Sequence, residues 1–575
     1  MHTQARFYVL ISTLVLAGLV LAMPRQSAKG QGTEATGLLT GTVYDHQEQL
    51  VADARVTLQL PGDTEPLAET RTQADGRYAL SVPQSLPDQL TVRILREHFE
   101  PVVMVLDAAT IQSLQAGQPV VLPDTVLARQ ITASFWIATL VFIGMLLLIA
   151  FGKLHNTLAA LLGMSVIFAV SYLGRPISDE LFIFDFRGAL RYVDWNVIFL
   201  IMGMMIVIAV VERTGMFQWL AFAAYRVSRG RIWLLMLILM MVTGVASAAL
   251  DNVTTMLLMT PITVQIALAL GITPLALLIP EVLASNVAGI STLIGTPTNI
   301  LIGSYAKLSF TDFLTNLTPG VLLAMVGLMI YTQLVYRSDL RASDAGGVSS
   351  LMMEKLAERA RITEPDHLKK AGIVGAFMLI LFIAGDAIHL IPAVTALMGA
   401  TALLVWIQPD IEEMIEAVDW TTLVFFIGLF IVVGAVQEVG LISVIADAIG
   451  QFVGSNLLLA VIVVTWFSAL LSTVIANIPF TAAMLPVVGY LTVTVPGAQS
   501  KVLFYCLSVG SAMGGNGSLI GASANMVTSG ISERAGYPMS YAYFFKKGFP
   551  ALLITVSLAT LWLIFHFLIQ NPATP

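Results

Sequence analysis

The sequence holds a single cysteine, Cys506, among 575 residues. One thiol builds neither a disulfide framework nor a cysteine zinc site. Charge is scarce too. Asp, Glu, Lys and Arg make up 11% of the chain, against about 25% in soluble domains. There is no basic excess: 29 Lys and Arg stand against 36 Asp and Glu, a formal net charge of −7. That balance argues against nucleic acid as a partner. The seven histidines show no metal-ligand spacing. No nucleophile–base pair and no cofactor motif is present, so no cofactor is expected and an enzyme is disfavoured.

What is abundant is apolar: 57% of the residues are hydrophobic. Such a chain buries its core against lipid as much as against itself, and a polytopic α-helical membrane protein is expected. Residues 1–23 carry Arg6 and an apolar run from Phe7 to Met23, the pattern of a signal peptide or an anchor helix. From about residue 36 to 128 the pattern changes. Gly41-Thr-Val-Tyr-Asp, Ala54-Arg-Val-Thr-Leu-Gln-Leu, Gly76-Arg-Tyr-Ala-Leu-Ser-Val and Leu90-Thr-Val-Arg-Ile-Leu alternate apolar and polar residues between turn signals. Short alternating strands predict a small β-sandwich. It resembles the carboxypeptidase-regulatory-like domain, a transthyretin-like sandwich, which implies an accessory or binding module, and the preceding signal or anchor segment puts it outside the cytoplasm.

Membrane character begins near residue 131. One membrane region spans 131–335, a basic cytoplasmic loop 336–370, and a second membrane region 371–570. The second half repeats the first. Val193-Asp194-Trp195 matches Val418-Asp419-Trp420 at an offset of 225 residues, and Gly203, Gly215, Asn252 and Pro261 match Gly428, Gly440, Asn477 and Pro486 at the same offset. One residue later in register, Ser285, Leu293-Ile294-Gly295 and Asn299 match Ser511, Leu519-Ile520-Gly521 and Asn525. Arg213, Arg226, Arg229 and Arg231 cluster after one span, whereas the counterpart stretch 438–456 has no Lys or Arg. By the positive-inside rule the two stretches face opposite sides, so two inverted repeats are expected, each with a re-entrant hairpin, near 231–270 and 457–494.

Four polar interruptions lie at membrane depth. Two are at hairpin tips: Asp251, Asn252, Thr254 and Thr255, and Ser472, Thr473 and Asn477. Two break spans: Gly295-Thr296-Pro297-Thr298-Asn299, and Gly521, Ser523 and Asn525. Gly and Pro interrupt the helix and free backbone carbonyls and amides, which survive at that depth only inside protein or along a cavity. Freed carbonyls and Asn or Thr oxygens suit sodium, with Asn252, Asn299, Asn477 and Asn525 the candidate ligands. Half-helix N-termini suit an anion. Ionisable groups here are by default functional, and Asp251 is the expected centre of a sodium or proton site. Glu281 and Asn286, on the approach to Gly295, are weaker candidates.

At these motifs the chain resembles the ion transporter superfamily of arsenite permeases, sodium/proton antiporters and citrate and dicarboxylate transporters. Leu250-Asp-Asn-Val-Thr-Thr-Met-Leu-Leu-Met-Thr-Pro261 is most similar to its P-protein branch. The resemblance implies an elevator-type secondary transporter, a homodimer in the bilayer, with a scaffold domain and a transport domain. It departs from the dicarboxylate pattern, a Ser-Asn-Thr motif at each tip: Asp251 precedes Asn252, and Ala476 precedes Asn477. A cation-coupled permease using sodium or protons is therefore expected, with transport of arsenite, citrate or another carboxylate as the second reading. A membrane sensor with a ligand-binding outer domain is the alternative of another class.

Overall fold

A computed structural model describes residues 35–46, 50–63, 65–83, 86–87, 89–338, 358 and 360–570. The expected signal peptide or anchor helix, and most of the loop 336–370, lie outside the described residues. The chain divides into two compact units, Met1–Gln130 and Ile131–Pro575.

Among the described residues the first unit contains eight strands: β1 (Ala35–Asp45), β2 (Arg55–Gln59), β3 (Ala68–Arg71), β4 (Arg77–Pro83), β5 (Thr91–Leu95), β6 (Val102–Val105), β7 (Val120–Val121) and β8 (Thr125–Leu127). One sheet runs β3-β2-β5-β6; in the other, β1 pairs antiparallel with β4 and parallel with β7 and β8. Alternation puts Leu39, Val56, Leu58, Leu80, Val92 and Ile94 into one shared core. Helix α1 (Ala108–Gln115) starts where the Asp107 carboxylate accepts from Thr110 N at 2.9 Å. The four alternating runs recognised in the sequence are β1, β2, β4 and β5. The others are too short to alternate visibly.

The second unit opens with α2 (Ala133–Ala150), α3 (Asn156–Ala169), α4 (Phe186–Arg191), α5 (Trp195–Arg213), α6 (Met216–Ser228), α7 (Ile232–Ala249), α8 (Asn252–Ala269), α9 (Leu275–Ala288), α10 (Pro297–Ala306) and α11 (Phe310–Val335). Its second half holds α12 (Pro365–Ala384), α13 (Pro392–Ile407), α14 (Ile411–Glu416), α15 (Trp420–Glu438), α16 (Leu441–Val453), α17 (Leu457–Ser472), α18 (Asn477–Thr494), α19 (Val502–Gly514), α20 (Ser523–Arg534) and α21 (Tyr541–Leu563). Ten helical segments among the described residues are long and apolar enough to cross a membrane. This is a multi-pass membrane protein.

The internal repeat carries into the elements. Helices α4 to α8 begin at 186, 195, 216, 232 and 252, and α14 to α18 begin at 411, 420, 441, 457 and 477, a constant step of 225 residues. The caps repeat as well. The Asp194 carboxylate accepts from Asn196 N at 3.0 Å, and Asp419 accepts from Thr422 N at 3.1 Å. Gly215 and Gly440 then turn the chain with φ of 74° and 94°, a conformation that costs glycine little. The side chains of α6 that face the protein are Phe217, Ala221 and Ala224, with Trp219 and Val227 exposed, as expected of an amphipathic interfacial helix.

Packing crosses between the halves. α5 lies on α13 and α15 on α3; α8 lies on α20 and α18 on α10; α11 lies on α21. At the C-terminal end of α5, Arg213 reaches Glu413, just ahead of α15, at 2.6 Å. Tyr192, just ahead of α5, donates to Glu438 at the C-terminal end of α15. The start of each helix therefore lies near the end of the other, and α5 and α15 run in opposite directions. The described part of the basic loop joins the Arg213 end: Thr363 N donates to Thr214 O at 3.0 Å, and Thr363 Oγ1 to Arg213 O at 2.8 Å.

Candidate functional site

Each expected hairpin is two helices joined by a short break, α7 to α8 at Leu250–Asp251 and α17 to α18 at Thr473–Ala476. Each expected broken span is a helix, a 3-10 turn, an extended segment and a second helix: α9 to α10 through Gly289–Ser291, and α19 to α20 through Gly515–Gly517. The breaks are stitched by the same bonds in both halves. Ser247 Oγ donates to Ser285 O at 3.1 Å, and Ser472 Oγ to Ser511 O at 2.6 Å. Thr292 Oγ1 donates to Ala248 O at 2.5 Å, and Ser518 Oγ donates to Thr473 O. Gly295 N and Gly521 N donate to those same hydroxyls, each at 3.1 Å. The first hydroxyl ties a hairpin arm to the broken helix. The second ties the hairpin tip to the extended break. Buried backbone groups freed by a break need such partners.

The glycines make this closeness affordable. A Cβ on Gly295 would stand 2.7 Å from Ser247 O and would also strike Gly289 O; one on Gly521 would stand 2.9 Å from both Ser472 O and Gly515 O. Pro297 follows Gly295 as the first residue of α10, a position where proline forfeits no hydrogen bond.

Asparagines fill the centre. Asn252, at the start of α8, donates to Asn286 Oδ1 at 2.8 Å. Asn286 Nδ2 donates across to Asn516 Oδ1 at 3.0 Å and Asn525 Oδ1 at 2.9 Å. Asn525 Nδ2 donates to Gly515 O and Ser518 O, at 2.8 and 2.9 Å. In the other half, Asn299 Nδ2 donates to Ile290 O and Thr292 O at 3.0 and 2.8 Å, and its Oδ1 accepts from Ser508 Oγ at 2.6 Å. Each half-helix asparagine thus closes its own break and is held by a side chain from the opposite half. Three of the four candidate sodium ligands, Asn252, Asn299 and Asn525, belong to these networks. Asn477 is buried but outside the Asn286 network. The position in α19 that corresponds to Asn286 is Ala512, which offers no polar group.

The hairpin tips differ. Asp251 is half-buried and caps α8: Oδ1 accepts from Val253 N and Thr254 N, both at 2.9 Å, and Oδ2 from Thr254 Oγ1 at 2.5 Å. Thr255 Oγ1 donates to Asp251 O at 2.9 Å. Asp251 and its two threonines therefore serve the helix end itself. No side chain caps α10, α18 or α20, whose cap residues are Thr296, Ala476 and Ala522. Thr296 and Thr298 share a bond of 3.0 Å with each other. Thr473 donates to Ala469 O and Gly514 O, at 3.0 and 3.2 Å, as a stitch, and Ser523 stands half-buried in the first turn of α20. Three helix starts thus present positive dipole ends that no side chain caps, and one is neutralised by its own carboxyl.

Sequence reasoning gave less weight to Asn286, Asn516 and Ser518 than the structure does, and gave none to Ser508. The recurrence of Ser247/Ser472 and Ser285/Ser511 in register was the available signal. A separate cavity of about 250 Å³, lined by Glu212, Gln218, Phe222, Leu258, Pro261 and Gln265, lies between α5, α6 and α8, away from the asparagines.

Residues 146–501 match the family model described as citrate transporter. The chain belongs to the citrate transporter family. This citrate transporter family member is 36% identical over 436 residues to a 46 kDa membrane protein of Mycobacterium leprae, covering 76% of this chain and 99% of that protein. An uncharacterized transporter of Mycobacterium tuberculosis is 36% identical over 434 residues, 75% of this chain and 99% of its own. The P protein of Homo sapiens is 30% identical over 594 aligned residues, 88% of this chain and 70% of that protein. The family member is a transporter, as the sequence motifs imply, and the P-protein likeness expected from residues 250–261 extends along most of the chain.

Proposed function

We propose that this protein is a cation-coupled secondary transporter whose cargo is a small anion, of the di- or tricarboxylate class. The observation that carries the reading is the set of three helix starts that no side chain caps, at Thr296, Ala476 and Ala522. Helix N-termini of this kind attract carboxylates through free N–H groups and the dipole. The family description points the same way. The second reading, cation exchange centred on Asp251, draws on its half-burial at the hairpin tip.

In this reading the two halves are inverted repeats. The opposed directions of α5 and α15 support it, as do the arginines after α5 set against none in 438–456. The arms α7–α8 and α17–α18 are re-entrant hairpins that approach from opposite faces. With the broken helices they form a transport body, stitched internally, that moves elevator-fashion against a scaffold containing α5, α13, α15 and α3. In this reading the protein works as a homodimer in the cell membrane, and the charge bias supports a β unit on the extracytoplasmic side.

Transport by the purified chain in vesicles tests this. Sodium and pH gradients are imposed separately, and internal pH and uptake of labelled citrate, succinate or arsenite are recorded. Gradient-driven accumulation of a carboxylate is the expected result. Sodium-driven pH change with no added anion, lost in Asp251→Asn, would instead establish cation exchange.

A further inference from the structure

Glu281 is a carboxyl with no charged partner among the described residues. It is completely buried in α9 and follows Pro280. Thr243 of α7 donates to its Oε1 at 2.7 Å. Thr263 of α8 lies beside it without completing a hydrogen bond. Glu281 Oε2, Thr263 Oγ1 and Thr260 Oγ1 are all buried without a partner, and Thr260 and Thr263 are one helical turn apart on α8. A carboxylate buried with only hydroxyls around it is costly in its ionised form, so Glu281, beside Thr243 and Thr263, favours a bound proton or cation.

The fold does not require an acid at this position. The residue corresponding to Glu281 in α19 is Leu507, and the residue corresponding to Thr243 is Ser468, buried with a free hydroxyl. One half runs the same backbone with an apolar side chain. The other retains an acid whose ionised form is costly at this depth.

Other charges do not match it. α7 and α8 contain no titratable side chain. On the remaining helices packed against α9, Asp312 of α11 accepts from Ser309 N, and Tyr331 of α11 donates to Lys547 O. Tyr505 of α19 accepts from Asn316, and Cys506 is buried. Glu533 and Arg534 stand in the last turn of α20. On α21, Tyr541, Tyr543, Lys546 and Lys547 lie in the first two turns, with Lys547 over the Tyr336 ring at 5.0 Å. The side chains that bear on Glu281 are the hydroxyls of Thr243 and Thr263.

We propose that Glu281 carries the coupling proton. Its Oε2 takes one proton from water, the O–H donates to the Thr263 hydroxyl while the site is closed, and the proton returns to water on the other side when the packing of α7, α8 and α9 opens. This rests on the transporter reading and names its coupling ion and the residue that holds it.

Infrared difference spectroscopy of the purified full-length protein in lipid discs tests it without a substrate. A protonated-carboxyl stretch is expected in wild type at neutral pH, fading as pH rises, absent in Glu281→Gln and shifted in Thr243→Val, which removes one donor. The wild-type titration and the threonine variant keep the test decisive if Glu281→Gln does not fold. A band that survives Glu281→Gln overturns the proposal. So does a wild-type protein with no band that binds sodium through Glu281, which moves these oxygens to a sodium site. In vesicles, citrate uptake with the same pH dependence in Glu281→Gln as in wild type would overturn the proton role and leave the transport reading standing. A clear Glu281 band with no transport of any probe would do the reverse.

Discussion

Asn286 Nδ2 and Asn525 Oδ1, 239 positions apart in the chain, lie 2.9 Å apart in the protein interior. This bond joins the broken helix of one half to the half-helix of the other. Asn286 also receives Asn252 from the hairpin tip and donates to Asn516. It is the point where hairpin, broken helix and opposite half meet.

Replacing Asn286 with alanine leaves the Asn252 amide without an acceptor and the Asn516 and Asn525 oxygens without a donor. At about 1–3 kcal/mol per unsatisfied buried group, and with partial relaxation, a loss of about 2–5 kcal/mol is expected. Asn477→Ala, whose side chain joins no part of that network, should cost less than about 1 kcal/mol. Thermal unfolding of the two variants in detergent gives the comparison. Equal shifts would remove Asn286 from its central place.

Gly295→Ala and Gly521→Ala each force a Cβ onto backbone carbonyls at under 3 Å. Backbone cannot swing aside like a side-chain tip, so both variants should lose folded yield. Gly372, in α12, has nothing within 4 Å of a built Cβ. Gly372→Ala should be neutral or slightly stabilising, because alanine favours the helix. Monodisperse yield after size exclusion reads out all three.

The inverted reading predicts opposite exposure of the turns that follow α6 and α16. Arg229 and Ser455 are exposed and follow the corresponding helices α6 and α16. The single native cysteine is buried, so single-cysteine variants at these positions report cleanly. A membrane-impermeant maleimide applied to whole cells should label Ser455→Cys at once and Arg229→Cys only after permeabilisation. Labelling of both from one side would refute the inversion.

The β unit has its own pH signature. Tyr78 in β4 pairs with Gly41 in β1, and its hydroxyl is buried without a partner. Burial pushes the phenol up to about 12, above the ordinary value of about 10. The folded state holds the proton more tightly than the unfolded one, so this contribution is intact below about pH 10. It falls away as pH rises towards the folded value of about 12. Tyr78→Phe should abolish that alkaline step and leave neutral-pH stability equal or higher, since no hydrogen bond is lost. Alkaline unfolding followed by circular dichroism, wild type against variant, decides it.

Much of the architecture follows from sequence alone. Long apolar runs oblige the chain to form helices in lipid, because no water is there to satisfy the backbone. The step of 225 residues foretold the paired elements, and the polar, Gly and Pro interruptions marked the four breaks. Register identities such as Ser247/Ser472 make the same bond in each half, to Ser285 O and Ser511 O. Roles within the site were decided only by tertiary packing. Asp251 is chemically a candidate ion ligand, and only its position one residue ahead of α8 turns it into a cap. Asn252 and Asn477 are equivalent by register, yet only the first finds an asparagine opposite, because Asn286 has Ala512 as its counterpart. Glu281 is one polar letter in an apolar run. Its isolation from every charge depends on which helices surround α9, and a linear pattern does not record neighbours from the opposite half of the chain.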